Sequence, residues 1–229
     1  MEQRLPLSRA VIVAAAVAVA DRDGLDRVSM RRLGRHLGVE AMSLYNHVPD
    51  KAALIDAMVD EAFYAVPVPT DPDWRTGLRA RGLAQRQVLR AHRWALGVVD
   101  ARGTPGPATL RRQDATLGYL RAAGFSTRAA GHAYVLLDAY VVGFVSLERG
   151  LTFDAAPGRS GSMLDADPLA GLPHLVELVR DAVSTGDEDA TGFEAGLDLL
   201  LATVGTLVTP GPRTGTGSRR GAARSTRTP

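Results

Sequence analysis

Stripes of apolar residues at helical spacing, broken by Gly, Pro, Asp and Ser, run from Leu7 to Val208. Such spacing gathers the apolar side chains on one face of a helix, so an all-α fold is expected. The first helix, Ser8 to Arg22, carries the run Val11-Ile12-Val13-Ala14-Ala15-Ala16-Val17-Ala18-Val19-Ala20 and stops at Gly24. This run is too short for a bilayer span, which takes about 20 apolar residues. A signal peptide is the rival reading, because Arg4 and Arg9 precede the run and Ala18-Val19-Ala20 imitates a cleavage site. Ser8 as an N-cap, together with the helical pattern that follows, favours a buried support helix, with Leu25 and Val28 closing the core beneath it.

The next stretch, SMRRLGRHLGVEAMSLYNHVPDK from Ser29 to Lys51, reads as two short helices joined by a tight turn. Ser29 is a natural N-cap, and Leu33 and Leu37 share one face while Arg31, Arg32 and Arg35 occupy the others. Gly38 stands where the chain must reverse, a position at which a left-handed cap costs least. From about Glu40 a second helix turns Leu44 inward, with Val39 and Val48 beside it. That leaves Ala41, Met42, Ser43, Tyr45, Asn46 and His47 on or near the outward side. A short helix with a small, polar and aromatic outer face, flanked by arginines and by Lys51, suits the DNA major groove. The stretch is therefore read as a helix-turn-helix in a three-helix DNA-binding head, although the same pattern also describes an αα-corner whose arginines are merely solvated.

Pro49-Asp50-Lys51 opens a further helix, Ala52 to Tyr64, with the apolar stripe Leu54, Ile55, Met58, Val59 and Ala62. Pro67, Pro69 and Pro72 end it near Val66. Beyond them, one helix is expected from Asp73 or Trp74 to about Trp94, followed by a short piece to Asp100 and the turn Gly103-Thr104-Pro105-Gly106-Pro107. Ala108 to Ala123 forms the next helix, stopped by Gly124. Ser126 caps the longest, Thr127 to Arg149, which is apolar almost all round and must therefore be covered on several faces. Residues 150–170 read as a long loop, Pro173–Thr185 and Asp189–Val208 as two last helices, and 209–229 as a disordered tail. The expected division is a head over residues 1–66, a body over 67–208 and the tail.

Composition narrows the chemistry. The chain has 229 residues, 45% apolar but only 5% aromatic, which favours helix over sandwich or barrel. With no cysteine there is neither a disulfide framework nor a thiolate metal site. Residues 209–229 hold five arginines and no acid, which turns the formal +2 of the whole chain into −3 for residues 1–208. Lys51 is the sole lysine. The histidines (His36, His47, His92, His132 and His174) are scattered, and neither HxxxH, a Gly-rich phosphate loop nor GxSxG occurs. Asp138 with His132 and Glu148 with His92 are conceivable acid–base pairs, for which structural roles are the expectation. The chain is read as a non-enzyme without cofactor, metal or membrane partner.

GVEAMSLYNHVPDKAALIDAMVDE resembles the recognition helix and following helix of the TetR family of bacterial repressors. Gly38, Val39, Leu44, Tyr45, His47 and Lys51 fit in register without gaps, and the resemblance extends over residues 7–63. It implies a cytoplasmic, homodimeric repressor that binds a palindromic operator in double-stranded DNA and is released by a small-molecule effector. Tyr45, His47 and Lys51 are then expected on the DNA backbone, Ala41, Met42 and Ser43 at base edges, and Arg31 on a guanine. In the body, GTPGPATLRRQDATLGYLRAAGFS and GFVSLE resemble more loosely the tetracycline-repressor branch of that family. Asn46 replaces that branch's Trp, so the operator should differ. Ala101 stands where the branch carries a metal-binding His, so although Glu148 fits its acidic residue, a different effector, apolar or aromatic, is expected. The stripe His132, Val135, Leu136 and Ala139, faced by Gln85, is the expected pocket lining. The helices Thr127–Arg149 and Asp189–Val208 look like the pair that forms a four-helix dimer interface in this family. The alternative is a helical small-molecule-binding protein or enzyme without a DNA function.

Overall fold

Residues 6–101, 106–151, 171–184 and 190–208 are described by the computed structural model. The arm before them, most of the loop expected at 150–170 and the tail 209–229 lie outside the described residues. Ten α-helices and no strand are found among the described residues: α1 (Arg9–Asp23), α2 (Met30–Leu37), α3 (Ala41–Tyr45), α4 (Lys51–Tyr64), α5 (Trp74–Ala91), α6 (Trp94–Ala101), α7 (Pro107–Ala122), α8 (Thr127–Leu151), α9 (Pro173–Ser184) and α10 (Ala190–Gly205).

Helix starts follow the side chains that satisfy free backbone N–H groups. Ser8 accepts from Val11 N–H, Ser29 from Arg32 N–H, Asp50 from Ala53 N–H at 2.7 Å, and Ser126 from Ala129 N–H. Asp73 opens α5 by accepting from the backbone and the hydroxyl of Thr76, and these hydrogen bonds hold its carboxyl below the usual carboxylate range. Gly24 and Gly38 end α1 and α2 at φ +87° and +68°, values that a side chain would strain.

The apolar run of the first helix is buried as expected: Ile12, Val13, Ala16 and Val19 lie in the core, and α1 packs chiefly on α4. In the body, α5 and α8 form the central pair, with α7 against α8 and α10 across both. Gly82 of α5 lets this trio close up, since a Cβ there would meet Leu137 of α8 and Leu197 of α10 at 3.3 Å. The core is continuous from α1 through α4 into α5, α8 and α10. Hence α4 belongs to both halves.

Two expected boundaries move. The helix predicted to reach Trp94 breaks at His92, because His92 Nδ1 and the Trp94 indole N–H both engage the Asp21 carboxylate of α1, at 2.8 and 2.7 Å. The last helix ends at Gly205 rather than Val208, and Val208 instead forms an isolated antiparallel bridge with Phe125, just before α8.

Candidate functional site

At the outer end of the head, α2 and α3 meet over a very close backbone approach. Gly34 of α2 is buried, and a Cβ there would lie 2.8 Å from the Val39 carbonyl oxygen and 3.1–3.2 Å from Ala41 backbone atoms. Gly38 and Val39 N–H both donate to the Gly34 carbonyl, closing the turn. Leu33, Leu44 and Val48 are fully buried beneath it, and Val39 is half-buried.

This packing fixes what faces outward. Met42 is 74% exposed, and Tyr45, Asn46, His47 and Lys51 are exposed with it. Ala41 and Ser43 are half-buried, Ala41 because it abuts Gly34. Lys51 is the first residue of α4, separated from the end of α3 by residues 46–50. The three arginines of α2 differ in their commitments. Arg32 is paired with Asp23, whereas Arg31 is exposed and makes no ion pair among the described residues. Of the eight residues expected to face DNA, six are therefore exposed on α2, on and just after α3 and at the start of α4, and two are half-buried.

Behind the head, the body holds a cavity of about 230 Å³. Its walls come from α4 (Val59, Phe63), Val66 just after it, α5 (Arg81, Gln85), α7 (Thr109, Arg112, Gln113) and α8 (Tyr134, Asp138, Val142). Gln85, only 2% exposed, donates through Nε2 to Asp138 Oδ1 at 2.6 Å. Arg81, 6% exposed, donates to the Pro67 carbonyl and lies over the Tyr134 ring. Burial pushes the Tyr134 phenol above its usual range, and the nearby Asp138 carboxylate adds to the effect. Burial likewise pulls the Arg112 guanidinium below its usual range, with the like charge of Arg81 as a second cause. The α4 wall is tied to α7 as well, because Thr109 donates to Asp60 at 2.8 Å.

Of the tentative ligand residues, the structure brings only Gln85 to this cavity. His132, Val135, Leu136 and Ala139 all lie on the outer face of α8, Val135 with 61% exposure. One residue along a helix is a rotation of about 100°, so Tyr134 and Asp138 line the cavity while Val135 and Ala139, one residue on, are exposed. His132, Val135 and Leu136 instead line an open, largely apolar groove with Thr203, Val204, Thr206 and Leu207 of α10 and its end. Glu148 is used elsewhere: it accepts from Arg86 Nε at 2.9 Å and from Arg86 Nη2, clamping α5 to α8. Neither conceivable acid–base pair forms, since Asp138 pairs with Gln85 and His92 with Asp21. Arg81, Arg112 and Tyr134 were not foreseen. Their one signal in the sequence was a charged or hydroxylated residue interrupting an otherwise apolar helical face.

Comparison with known proteins meets this geometry at both ends of the chain. Residues 12–58 match the profile of bacterial regulatory proteins of the tetR family, and residues 66–208 match the tetracyclin repressor-like C-terminal domain. An HTH-type transcriptional regulator of Saccharopolyspora erythraea is 38% identical over 144 residues, 62% of this chain and 61% of that protein. The chain thus spans about three fifths of the length of that relative. The class A tetracycline repressor protein of Escherichia coli, from transposon 1721, is 31% identical over 83% of this chain and 87% of its own length. Among solved structures, ActR of Streptomyces coelicolor in complex with actinorhodin superposes with a TM-score of 0.69 at 26% identity, covering 88% of this chain and 98% of that one. Both halves match in order, the head on one profile and the body on the other, and the chain belongs to the TetR family of bacterial regulatory proteins.

Proposed function

We propose that the protein is a cytoplasmic, homodimeric transcriptional repressor that holds a palindromic operator through residues 1–66 and releases it when a small molecule enters the body, residues 67–208. The observation that carries this reading is the double role of α4. Its N-terminal Lys51 borders the exposed patch of α3, and its Val59 and Phe63 form one wall of the internal cavity. A ligand that presses on that wall displaces a helix packed directly on α1 of the head, so filling the cavity and changing the head's attitude are one event. Contact roles follow from position. Met42 and Ser43 meet base edges, Arg31 reaches a guanine, and Tyr45, His47 and Lys51 fix register on phosphates.

Dimerisation is supported by the outer faces of α8 and α10. The stretch Thr127–Glu148 is long and apolar enough to cross a membrane, yet Ala133, Leu137, Val141 and Val145 of this helix are packed in the protein's own core. What remains outside is a stripe, with Val135, Leu136 and, on α10, Leu199 at 71% exposure. A second copy in two-fold register covers such a stripe with its own equivalent.

The test is binding of the purified protein to DNA from its own upstream region, titrated with salt. Sequence-selective binding that weakens steeply with salt, as released counterions require, is expected. Weak binding indifferent to sequence would overturn the repressor reading and leave the cavity as the protein's business.

A further inference from the structure

The cavity contains two polar atoms whose hydrogen bonding is incomplete, and their chemistry differs. Gln85 spends its amide N–H on Asp138, but its Oε1, an acceptor, has no partner among the described residues. Arg112 Nη2, a charged donor, is buried and also without a partner among the described residues. Leaving a buried donor on a cation unpaired is among the most unfavourable arrangements in a folded protein. The charged groups that face this space are Arg81, Arg112 and Asp138, two guanidiniums against one carboxylate. Arg81 is committed to the Pro67 carbonyl and the Tyr134 ring, and Asp138 to Gln85. Arg112 lies over the Tyr64 ring, but its Nη2 has no hydrogen-bond partner among the described residues, so one charged donor and one acceptor are left over. Of the rest of the wall, Val59, Phe63, Val66 and Val142 are apolar, and Thr109 and Gln113 are polar.

Resting on the effector-released reading above, we propose that this cavity binds an aromatic acid of one or two rings. Its ionised oxygen accepts from Arg112 Nη2, and a hydroxyl on the same frame donates to Gln85 Oε1. The size follows from volume, because an apolar cavity of about 150 Å³ takes up benzene and this one measures about 230 Å³. The charge follows from the surplus guanidinium. The ring follows from the apolar walls and from Tyr134 and Phe63, which offer aromatic surface.

The experiment is calorimetric titration of the full chain with a hydroxynaphthoic acid, hydroxyl and carboxyl on opposite rings, and with its methyl ester. The ester keeps shape and hydroxyl but removes the charge. The acid is expected to bind the natural protein roughly tenfold or more tightly than the ester, the scale of one charge-assisted hydrogen bond. Arg112→Met should erase that preference while leaving ester binding unchanged, and Arg112→Lys should retain part of it. An unshifted melting temperature for both variants shows that folding is intact. Equal binding of acid and ester by the natural protein, binding of neither, or a preference that survives Arg112→Met would overturn the proposal. Release of the upstream DNA is read separately. Ester-driven release without acid preference sinks this inference and keeps the repressor reading, whereas acid binding without release does the reverse.

Discussion

Adjacent arginines on α2 illustrate how little of a side chain's role lies in its type. Arg32 points back to Asp23 at the end of α1 and braces the head, while Arg31, one residue earlier, is exposed beside the reading patch. Arg31→Ala should therefore relax base preference at one operator position, worth roughly 1–3 kcal/mol of discrimination. Lys51→Ala should weaken every sequence about equally and reduce the slope of log affinity against log salt by about one. Binding to a panel of single-base operator variants at several salt concentrations separates the two, and a uniform loss in both variants would refute base reading by Arg31. Gly34 is the opposite case, a residue whose value is the absence of a side chain. Gly34→Ala drives a Cβ into the Val39 carbonyl, which is backbone and cannot swing away. It should cost about 1–3 kcal/mol by overpacking and lower operator affinity at fixed salt. Chemical denaturation alongside DNA titration checks both. The sequence singled out Gly38 because a stop signal is local; Gly34 escaped notice because a mid-helix glycine reports only that something comes close, not what.

Among the helices, periodicity carried the reading wherever one face is buried and the other wet. The N-caps Ser8, Ser29, Asp50 and Ser126 and the stops at Gly24 and Gly38 stand where the pattern placed them. It failed where a helix has more than one apolar face. On α8 the stripe Val135, Leu136 and Ala139 and the neighbouring Ala133, Leu137 and Val141 are indistinguishable by composition, yet the first is exposed and the second is core. The cavity wall, Tyr134, Asp138 and Val142, lies between them and depends on what α5 and α7 bring opposite it. Such long-range juxtapositions leave no local trace. The Arg86–Glu148 pair is another. Its side chains are only 9% and 15% exposed, and a triad of Tyr140, Phe144 and Phe193 packs beside it, with Arg86 over the Phe193 ring. Glu148→Ala would remove the Glu148 carboxylate from a buried guanidinium, and a lower melting temperature is expected. A role for Glu148 in gripping the effector would instead lower ligand affinity with the melting temperature unchanged.

For the assembled molecule the deciding feature is the outer face of α8 and α10. A monomer leaves Val135, Leu136 and Leu199 exposed, and Val135 and Leu136 line an apolar groove with Thr203, Thr206 and Leu207. The proposed two-fold closure would bury that apolar face and set two heads at a fixed separation, as a palindromic operator requires. The cavity wall and the exposed apolar face share α8, and α4 joins the cavity to the head, so in the proposed assembly effector, partner and DNA would act on one helical framework. The double variant Val135→Glu, Leu199→Glu places like charges across the proposed two-fold contact without touching the cavity wall or the α2–α3 patch. Analytical ultracentrifugation should find the natural protein dimeric and the variant monomeric at micromolar concentration. Losing one of two linked half-sites forfeits avidity of about 10²–10⁴-fold, so operator affinity should collapse towards that of a single head while the hydroxynaphthoate titration stays unchanged. A variant that remains dimeric, or a monomer that still binds the full operator as tightly, would place the dimer contact elsewhere and leave the apolar stripe unexplained.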